Sequence, residues 1–261
     1  MRISVAATAP FGADVLERLA ARHDVAALLS RPDSPAGRGR KLAAPPAKVV
    51  ADRLGIPVLQ PERPTAELEL PGDAVVVAAY GLLIPESLLA KGLWLNVHPS
   101  LLPRWRGAAP VERALLAGDT ETGVTIHQTV KELDAGPVAA QRAFPLAVED
   151  DAGTVYARAA ELAVELLDEV LSEPVFAPQQ GEPTYAAKIE AADRELDFSR
   201  PEESLNRIRA LAPHIGARGE LNGRRVTVWK ARLEGGQLVP VEVQPEGGTR
   251  MGYDDWLRGL R

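Results

Sequence analysis

Short apolar runs alternate along the first half of the chain with segments whose apolar positions recur at helical spacing. The runs at residues 3–7, 25–29 and 74–79 predict buried strands. Residues 13–22 have apolar positions at helical spacing, and residues 45–54 begin with proline and end before a glycine, the order typical of a helix. Strands that are apolar on both faces and alternate with helices indicate a parallel sheet covered by helices.

The pattern changes towards the C-terminus. Residues 153–171 predict a long amphipathic helix, and residues 201–211 predict a short helix that opens a second unit. Asn222-Gly223 lies between two extended runs and predicts a β-hairpin, and residues 237–243 add a third strand. We therefore expect a large α/β domain at residues 1–181, a linker at 182–200 and a small β-rich domain at 201–261.

One predicted strand ends in polar residues. The run Leu-Trp-Leu at residues 93–95 is followed by Asn96, Val97 and His98. Side chains alternate along a strand, so Asn96 and His98 project from the same face, at the carboxyl end where open α/β sheets bind ligands. An amide donor beside an imidazole can polarise a carbonyl group and move a proton.

Other candidates for chemistry are few. Asp134 lies in a predicted loop and could orient an imidazole, although an aspartate before Ala-Gly is also an ordinary turn residue. The chain contains no cysteine, Ser100 has no Gly-x-Ser-x-Gly context, and no metal-ligand spacing or Walker loop is present. His127 lies within a predicted strand and is interpreted as structural. The sequence therefore favours transfer between two bound substrates over a covalent enzyme intermediate.

Composition limits the possible partners and location. The 261 residues are 46% hydrophobic and 25% charged, as in globular proteins, and the formal net charge is -6. Any nucleic-acid contact must therefore come from local basic patches. The first apolar run is too short for a signal sequence or a membrane span, so we expect a cytoplasmic protein with no membrane contact.

A local basic patch is present at residues 31–42, which contain Arg31, Arg38, Arg40 and Lys41 among proline and glycine residues. This stretch is interpreted as a loop, either a solvated one or an arm that contacts phosphate groups. Its glycines follow no strand directly and open no helix, which argues against a dinucleotide site.

Several motifs together resemble one family. The run Asn-Val-His-Pro-Ser-Leu-Leu-Pro at residues 96–103 is similar to the signature of 10-formyltetrahydrofolate-dependent formyltransferases. Arg-Trp-Arg-Gly-Ala-Ala-Pro at 104–110, Gly-Asp-Thr-Glu-Thr-Gly-Val-Thr-Ile at 118–126 and Leu-Asp-Ala-Gly at 133–136 resemble the methionyl-tRNA formyltransferase family within that group. Residues 31–39 resemble the inserted loop that grips the tRNA acceptor stem in that family. The resemblance extends to about residue 233.

The resemblance implies a function and a set of site residues. It implies formyl transfer from 10-formyltetrahydrofolate to the α-amino group of methionyl initiator tRNA. Separately, we expect a monomer that needs no metal. The implied catalytic residues are Asn96, His98 and Asp134. The implied folate-binding residues are Tyr80, Gly81, Leu82, Ile84, Ser100, Leu101, Leu102 and Pro103. The implied tRNA-binding residues are Arg31, Arg38, Arg40, Lys41, Arg104 and Arg106.

The resemblance also implies a Rossmann-like, mostly parallel sheet flanked by helices, followed by an OB-like C-terminal domain. Here the chain departs from the family pattern, because three candidate strands are fewer than the five of an OB barrel. We expect a shortened, open C-terminal unit. Two alternatives remain: a formyltransferase that acts on a nucleotide-linked amino sugar or another small amine, and a non-catalytic folate- or RNA-binding relative.

Overall fold

The computed structural model describes residues 1–36 and 41–260. In chain order, its strands are β1 (Arg2–Ala7), β2 (Asp24–Leu29), β3 (Ser34–Ala36), β4 (Lys41–Ala43), β5 (Val58–Leu59), β6 (Ala74–Ala78), β7 (Leu93–His98), β8 (Arg106–Gly107), β9 (Glu121–Gln128), β10 (Val138–Pro145), β11 (Tyr185–Ala186), β12 (Ala217–Leu221), β13 (Arg224–Glu234), β14 (Gln237–Pro245) and β15 (Met251–Gly252). Its α-helices are α1 (Pro10–Ala20), α2 (Pro46–Leu54), α3 (Glu86–Leu89), α4 (Pro110–Ala117), α5 (Ala152–Ser172), α6 (Pro201–Leu211) and α7 (Tyr253–Arg258).

A seven-stranded sheet has the strand order β10-β9-β7-β6-β1-β2-β5. The pairs β1–β2, β1–β6, β2–β5 and β6–β7 are parallel, and β9 runs antiparallel to β7. All five residues of β6 are buried, which agrees with its continuous apolar sequence. The predicted α/β fold with a mostly parallel sheet is confirmed.

Helix boundaries follow the capping residues. Helix α2 ends at Leu54 and is capped by Gly55, whose φ of 70° is the left-handed conformation that glycine adopts without steric cost. Helix α1 begins at Pro10, three residues before the predicted start. Proline has the φ of a first helical residue and needs no N–H partner there, so the helix can begin at Pro10.

The basic stretch at residues 31–42 was interpreted as a loop, and this is wrong in part. β3 and β4 pair antiparallel, with Ser34 opposite Ala43. At its base, Asp33 accepts hydrogen bonds of 2.8 Å from Lys48 Nζ and from Gln60 Nε2. The lysine bond comes first among the causes that lower the pKa of Asp33. The predicted tRNA residues Arg38 and Arg40 lie outside the described residues.

The chain divides into two compact units. One comprises Met1–Arg106, Gly123–Ala143 and Ala157–Thr184, and the other comprises Gly107–Thr122, Phe144–Tyr156 and Tyr185–Arg261. The second unit contains a four-stranded sheet of order β12-β13-β14-β15 with antiparallel neighbours. The predicted count of three strands omitted the two-residue β15. No pairing joins β12 to β15 among the described residues, so this sheet is open.

Glycine-containing turns set the register of this second sheet. Asn222 and Gly223 have φ values of 50° and 70° between β12 and β13. Gly235 and Gly236 have φ values of 56° and 78° between β13 and β14. Two consecutive residues with positive φ form the two-residue turn whose twist matches that of an antiparallel hairpin. The first hairpin was predicted from its sequence.

Candidate active site

Four polar side chains share one face where β7 pairs with β9. Asn96 lies opposite His127, and His98 lies opposite Thr125. Opposed residues of antiparallel strands point to the same face, as do residues two apart on one strand. Asn96 and His98 therefore project together as predicted, and the antiparallel register adds His127 and Thr125 to them.

The side-chain amide of Asn96 uses both of its hydrogens. Its Nδ2 donates to Asp134 Oδ1 at 3.1 Å and lies 3.0 Å from His127 Nε2. His127 Nδ1 lies 3.0 Å from the carbonyl oxygen of Gln128, which can only accept, so we assign the ring hydrogen to Nδ1. Nε2 of His127 is then the acceptor for Asn96. His127, which was interpreted as structural, thus contacts a candidate catalytic side chain.

His98 is held between a backbone carbonyl and a carboxylate. Its Nε2 lies 2.8 Å from the carbonyl oxygen of Trp105 and therefore donates to it. In the neutral ring Nδ1 then carries the lone pair, and it lies 3.5 Å from Asp134 Oδ2. The side chains of His98 and Asp134 are only 5% and 8% exposed, so their interaction is weakly screened.

Burial decides the charge state of His98. It lowers the pKa of His98 below 6.5, while the Asp134 carboxylate and the Trp105 carbonyl act to raise it and His127 acts to lower it. Burial therefore outweighs the neighbouring carboxylate in setting the pKa of His98. The neutral imidazole is the resting form at neutral pH, and a neutral imidazole can accept a proton.

The Asp134 loop has an unusual backbone. Asp134 has a φ of 49°, a left-handed conformation that aspartate tolerates better than most residues. Two residues later, a Cβ on Gly136 would lie 1.8 Å from the carbonyl oxygen of Gln128, so glycine is required there. The side chain of Gln179 donates to the backbone oxygens of Asp134 and Gly136 at 2.7 and 3.0 Å.

Side-chain hydrogen bonds from buried residues fix the backbone of the segment that follows β7. Ser100 Oγ donates to the carbonyl oxygen of Arg104 at 2.6 Å, and its side chain is fully buried. Thr125 Oγ1 donates to the carbonyl oxygen of Ser100 at 2.7 Å and accepts from the Leu102 N–H and from Gln141 Nε2. The Ser100 side chain therefore shapes the segment, while Leu102 and Pro103 are buried and Leu101 is half-buried.

The segment that follows β6 is mainly apolar. Tyr80 and Ile84 belong to a buried cluster with Leu29, against which Leu82 packs, while Gly81 is exposed. The Tyr80 hydroxyl is buried, with no hydrogen-bond partner among the described residues. Burial raises the pKa of Tyr80 to about 12, so the hydroxyl remains protonated. β6 neighbours β7, so this segment and the one after β7 start from adjacent strand ends.

The predicted tRNA-binding residues differ in their surroundings. Arg31, Lys41 and Arg104 are exposed, and the Arg104 guanidinium lies 4.5 Å from the centre of the Trp105 ring. Arg106 is half-buried and donates to Gln179 Oε1 from Nε at 3.1 Å and from Nη2 at 2.6 Å. Arg106 is therefore engaged within the protein.

Sequence reasoning did not identify Gln179 and assigned His127 no role in the site. The available signal for His127 was its spacing, since Thr125-x-His127 mirrors Asn96-x-His98. Across residues 1–36 and 41–260, no cluster of three or more His, Cys, Asp or Glu side chains could hold a metal ion. No helix in the described part of the chain is long and apolar enough to cross a membrane.

Comparison with known proteins identifies the family. The family described as "Formyl transferase" matches residues 1–171, and "Formyl transferase, C-terminal domain" matches residues 188–237. A methionyl-tRNA formyltransferase from Paracoccus denitrificans is 41% identical over 291 residues, which cover 100% of this chain and 98% of that protein.

Two solved structures share the fold. Methionyl-tRNA formyltransferase from Clostridium thermocellum superimposes with a TM-score of 0.66 at 15% identity, over 94% of this chain and 98% of that one. HypX from Aquifex aeolicus, in complex with tetrahydrofolic acid, gives 0.67 at 19% identity, and the match covers 98% of this chain but only 46% of HypX. On the sequence matches, the chain belongs to the methionyl-tRNA formyltransferase family of formyl transferases.

Proposed function

We propose that this protein transfers a formyl group from 10-formyltetrahydrofolate to the α-amino group of methionyl initiator tRNA, for translation initiation in the cytoplasm. The observation that supports this best is the contact of the Asp134 carboxylate with Asn96 and His98, which lie at the carboxyl end of β7. The name of the Paracoccus denitrificans relative supports the choice of acceptor.

The residues near this site suit a formylated folate. Bound 10-formyltetrahydrofolate would supply an activated formyl group on nitrogen, open to attack by an amine. The proposed folate-binding residues in the segment after β6 are Tyr80, Gly81, Leu82 and Ile84. Those in the segment after β7 are Ser100, Leu101, Leu102 and Pro103. Apolar side chains with a few convergent polar groups are typical of small-molecule binding sites.

His98 is the proposed base for the attacking amine. Its Nε2 is occupied by the Trp105 carbonyl, so Nδ1 is the nitrogen that can take a proton. When it does, the imidazolium lies 3.5 Å from the Asp134 carboxylate, which stabilises the new charge. When the bond between the formyl carbon and the folate nitrogen breaks, His98 can give the same proton to that nitrogen. The general base of the first step is then the general acid of the second.

Asn96 is the proposed donor to the oxygen that becomes negative on the formyl carbon. Both Nδ2 hydrogens of Asn96 already have acceptors. To donate to the substrate oxygen, Asn96 must therefore give up one of these two hydrogen bonds during the reaction. We propose that the bond to Asp134 is exchanged and that the bond to His127 is kept. His127 is then a positioning residue that holds the amide plane of Asn96.

The remaining assignments follow the two regions of the chain. We assign formyl transfer to residues 1–181, a linker to 182–200 and tRNA contact to the C-terminal domain at 201–261. The proposed tRNA contacts outside that domain are Arg31, Arg38, Arg40, Lys41 and Arg104. We propose that the protein acts as a monomer and needs no metal.

The test is formation of formyl-methionine after incubation with 10-formyltetrahydrofolate and methionyl initiator tRNA. We expect transfer to the tRNA and none to a nucleotide-linked amino sugar. Transfer to the amino sugar alone would replace the proposed acceptor. Folate binding without transfer to either acceptor would make the protein a non-catalytic relative.

A further inference from the structure

Gln179 lies beside the loop that carries Asp134. Val138 and Ala177 form an antiparallel bridge. The distance from Val138 N to Ala177 O is 2.7 Å, and that from Ala177 N to Val138 O is 2.9 Å. This bridge holds the chain after α5 against the chain after Asp134. Gln179 is two residues beyond the bridge and half-buried.

Hydrogen-bond partners fill both ends of the Gln179 amide. Nε2 donates to the carbonyl oxygens of Asp134 and Gly136, and Oε1 accepts twice from Arg106. A primary amide has two donor hydrogens and an acceptor oxygen with two lone pairs. All four positions are therefore used within the loop and the guanidinium.

The arginine fixes which way the amide points. A guanidinium has donors and no acceptor, so the oxygen of Gln179 must face Arg106. Rotation of the amide by 180° would place Nε2 against those donors and Oε1 against two carbonyl oxygens. Arg106 therefore sets the orientation in which Gln179 can hold the loop.

The Asp134 backbone is a conformation that needs such support. Its φ of 49° is sparsely populated by residues other than glycine and persists where the surroundings enforce it. The carbonyl that Gln179 holds belongs to the residue whose carboxylate contacts both Asn96 and His98. A small movement at this carbonyl moves the carboxylate against both partners.

We propose that Gln179 is a positioning residue for Asp134 and that Arg106 orients Gln179, so that Arg106 acts on the reaction through the Asp134 loop. This assigns Arg106 a different role from the tRNA contact expected of it. The inference rests on the proposed formyl transfer, and it concerns how the Asp134 carboxylate is positioned for that reaction.

The first test is Gln179→Leu, which removes the amide and keeps a side chain of similar size. Misplacement of a reacting group by 1 Å can cost about 100-fold in rate, and we expect kcat to fall by about 10- to 100-fold. The KM values for folate and tRNA should change little. The matched control is Gln180→Leu at the adjacent exposed residue, which should keep the wild-type kcat.

The second test separates the two roles of Arg106. Lysine retains the positive charge that attracts phosphate but cannot place two fixed donors on Gln179 Oε1. Arg106→Lys should therefore lower kcat with little change in the KM for tRNA. Combined with Gln179→Leu it should cause no further loss, because both changes break one unit. Fully additive losses, or a change confined to the KM for tRNA, would overturn the role of Arg106.

A readout without substrates keeps this inference separate from the proposed function. Asp134 raises the pKa of His98, so displacement of Asp134 in Gln179→Leu should move the His98 titration to lower pH in histidine NMR spectra. His127 is the other imidazole near His98 and its Nε2 lies 3.7 Å from Asp134 Oδ1, so the His98 resonances are assigned separately with His98→Gln. An unshifted His98 titration together with an unchanged kcat would overturn the inference. Absence of formyl transfer by the wild type would instead overturn the proposed function.

Discussion

The polar groups at the end of β7 and those on the C-terminal antiparallel sheet are satisfied in opposite ways. In the site, His98, His127 and Asp134 have side chains at most 8% exposed, and their partners lie within the same network. On the C-terminal sheet, Arg232 pairs with Glu234 while both side chains are more than half exposed. A buried polar group that loses its partner carries the full desolvation penalty, whereas exposed pairs contribute about 0 to 1 kcal/mol.

This difference shows which region of the molecule has a fixed polar geometry. In the buried site each hydrogen-bonding position has a defined direction, so one substitution changes several contacts. On the C-terminal sheet, acidic partners offset part of the basic charge, as Glu195 does for Arg225 at 3.3 Å.

Asp134→Asn should cause the largest loss. Asparagine tolerates the left-handed backbone of this position but cannot stabilise a charged imidazole. Acid–base catalysis typically contributes about 10²- to 10⁴-fold, and we expect kcat to fall within that range. Steady-state kinetics measures it, and the melting temperature serves as the control for folding. A kcat within threefold of the wild type (about 0.65 kcal/mol) would contradict the role of the carboxylate.

His127→Phe should have a smaller effect on kcat. The substitution leaves one Nδ2 hydrogen of Asn96 without its acceptor, at a cost of about 1 to 3 kcal/mol. That cost falls on the free energy of unfolding, whereas loss of the fixed amide plane of Asn96 should lower kcat by up to about 100-fold with little change in the KM for folate. His127→Gln offers an acceptor oxygen and should recover part of the loss. Equal losses in both variants would show that the ring is needed for packing alone.

His98 should titrate below pH 6.5 in the folded protein. Burial lowers its pKa, so the unfolded chain binds this proton at a higher pH than the folded one. The contribution of His98 to stability is therefore complete above pH 6.5 and is lost as the pH falls through 6.5 towards the folded pKa. NMR of labelled histidine, assigned with His98→Gln, measures the titration. Asp134→Asn should lower this pKa further; a value above 6.5 in the wild type would contradict the account.

Tyr80→Phe should raise the stability of the protein without substrates. The Tyr80 hydroxyl is buried with no partner among the described residues, and such a group costs about 1 to 3 kcal/mol. Chemical denaturation should show a gain of up to that size. A rise in the KM for folate in Tyr80→Phe would show in addition that the hydroxyl hydrogen-bonds to the folate. A loss of stability would show that the hydroxyl is already satisfied.

Arg232→Ala should have the smallest effect. Its partner Glu234 and the arginine itself are exposed, so the free energy of unfolding should change by less than about 1 kcal/mol. The kcat for formyl transfer should stay at the wild-type value. A large change in either quantity would remove the contrast between the two regions.

Residues with local patterns were predicted well from the sequence. The apolar runs predicted strands of the parallel sheet. Alternation along β7 predicted that the side chains of Asn96 and His98 project from the same face. The hairpin at Asn222-Gly223 followed from its turn residues, whose positive φ values have a known sequence preference.

Other features depend on contacts that no local pattern encodes. His127 joins the site because β9 pairs antiparallel with β7 in one particular register. Gln179 reaches Asp134 across 45 positions of the chain. The sign of the His98 pKa shift required the extent of burial, which outweighs the neighbouring carboxylate. Each is a long-range property set by tertiary packing.

The most direct test of the central claim is the single-turnover rate of formyl transfer in His98→Gln, with 10-formyltetrahydrofolate and methionyl initiator tRNA both saturating. Glutamine can still donate to the Trp105 carbonyl but cannot take a proton from the amine. We predict a rate at least about 100-fold below that of the wild type, with both substrates still bound. A rate within a few-fold of the wild type would show that the imidazole at the end of β7 is not the base and would contradict the account.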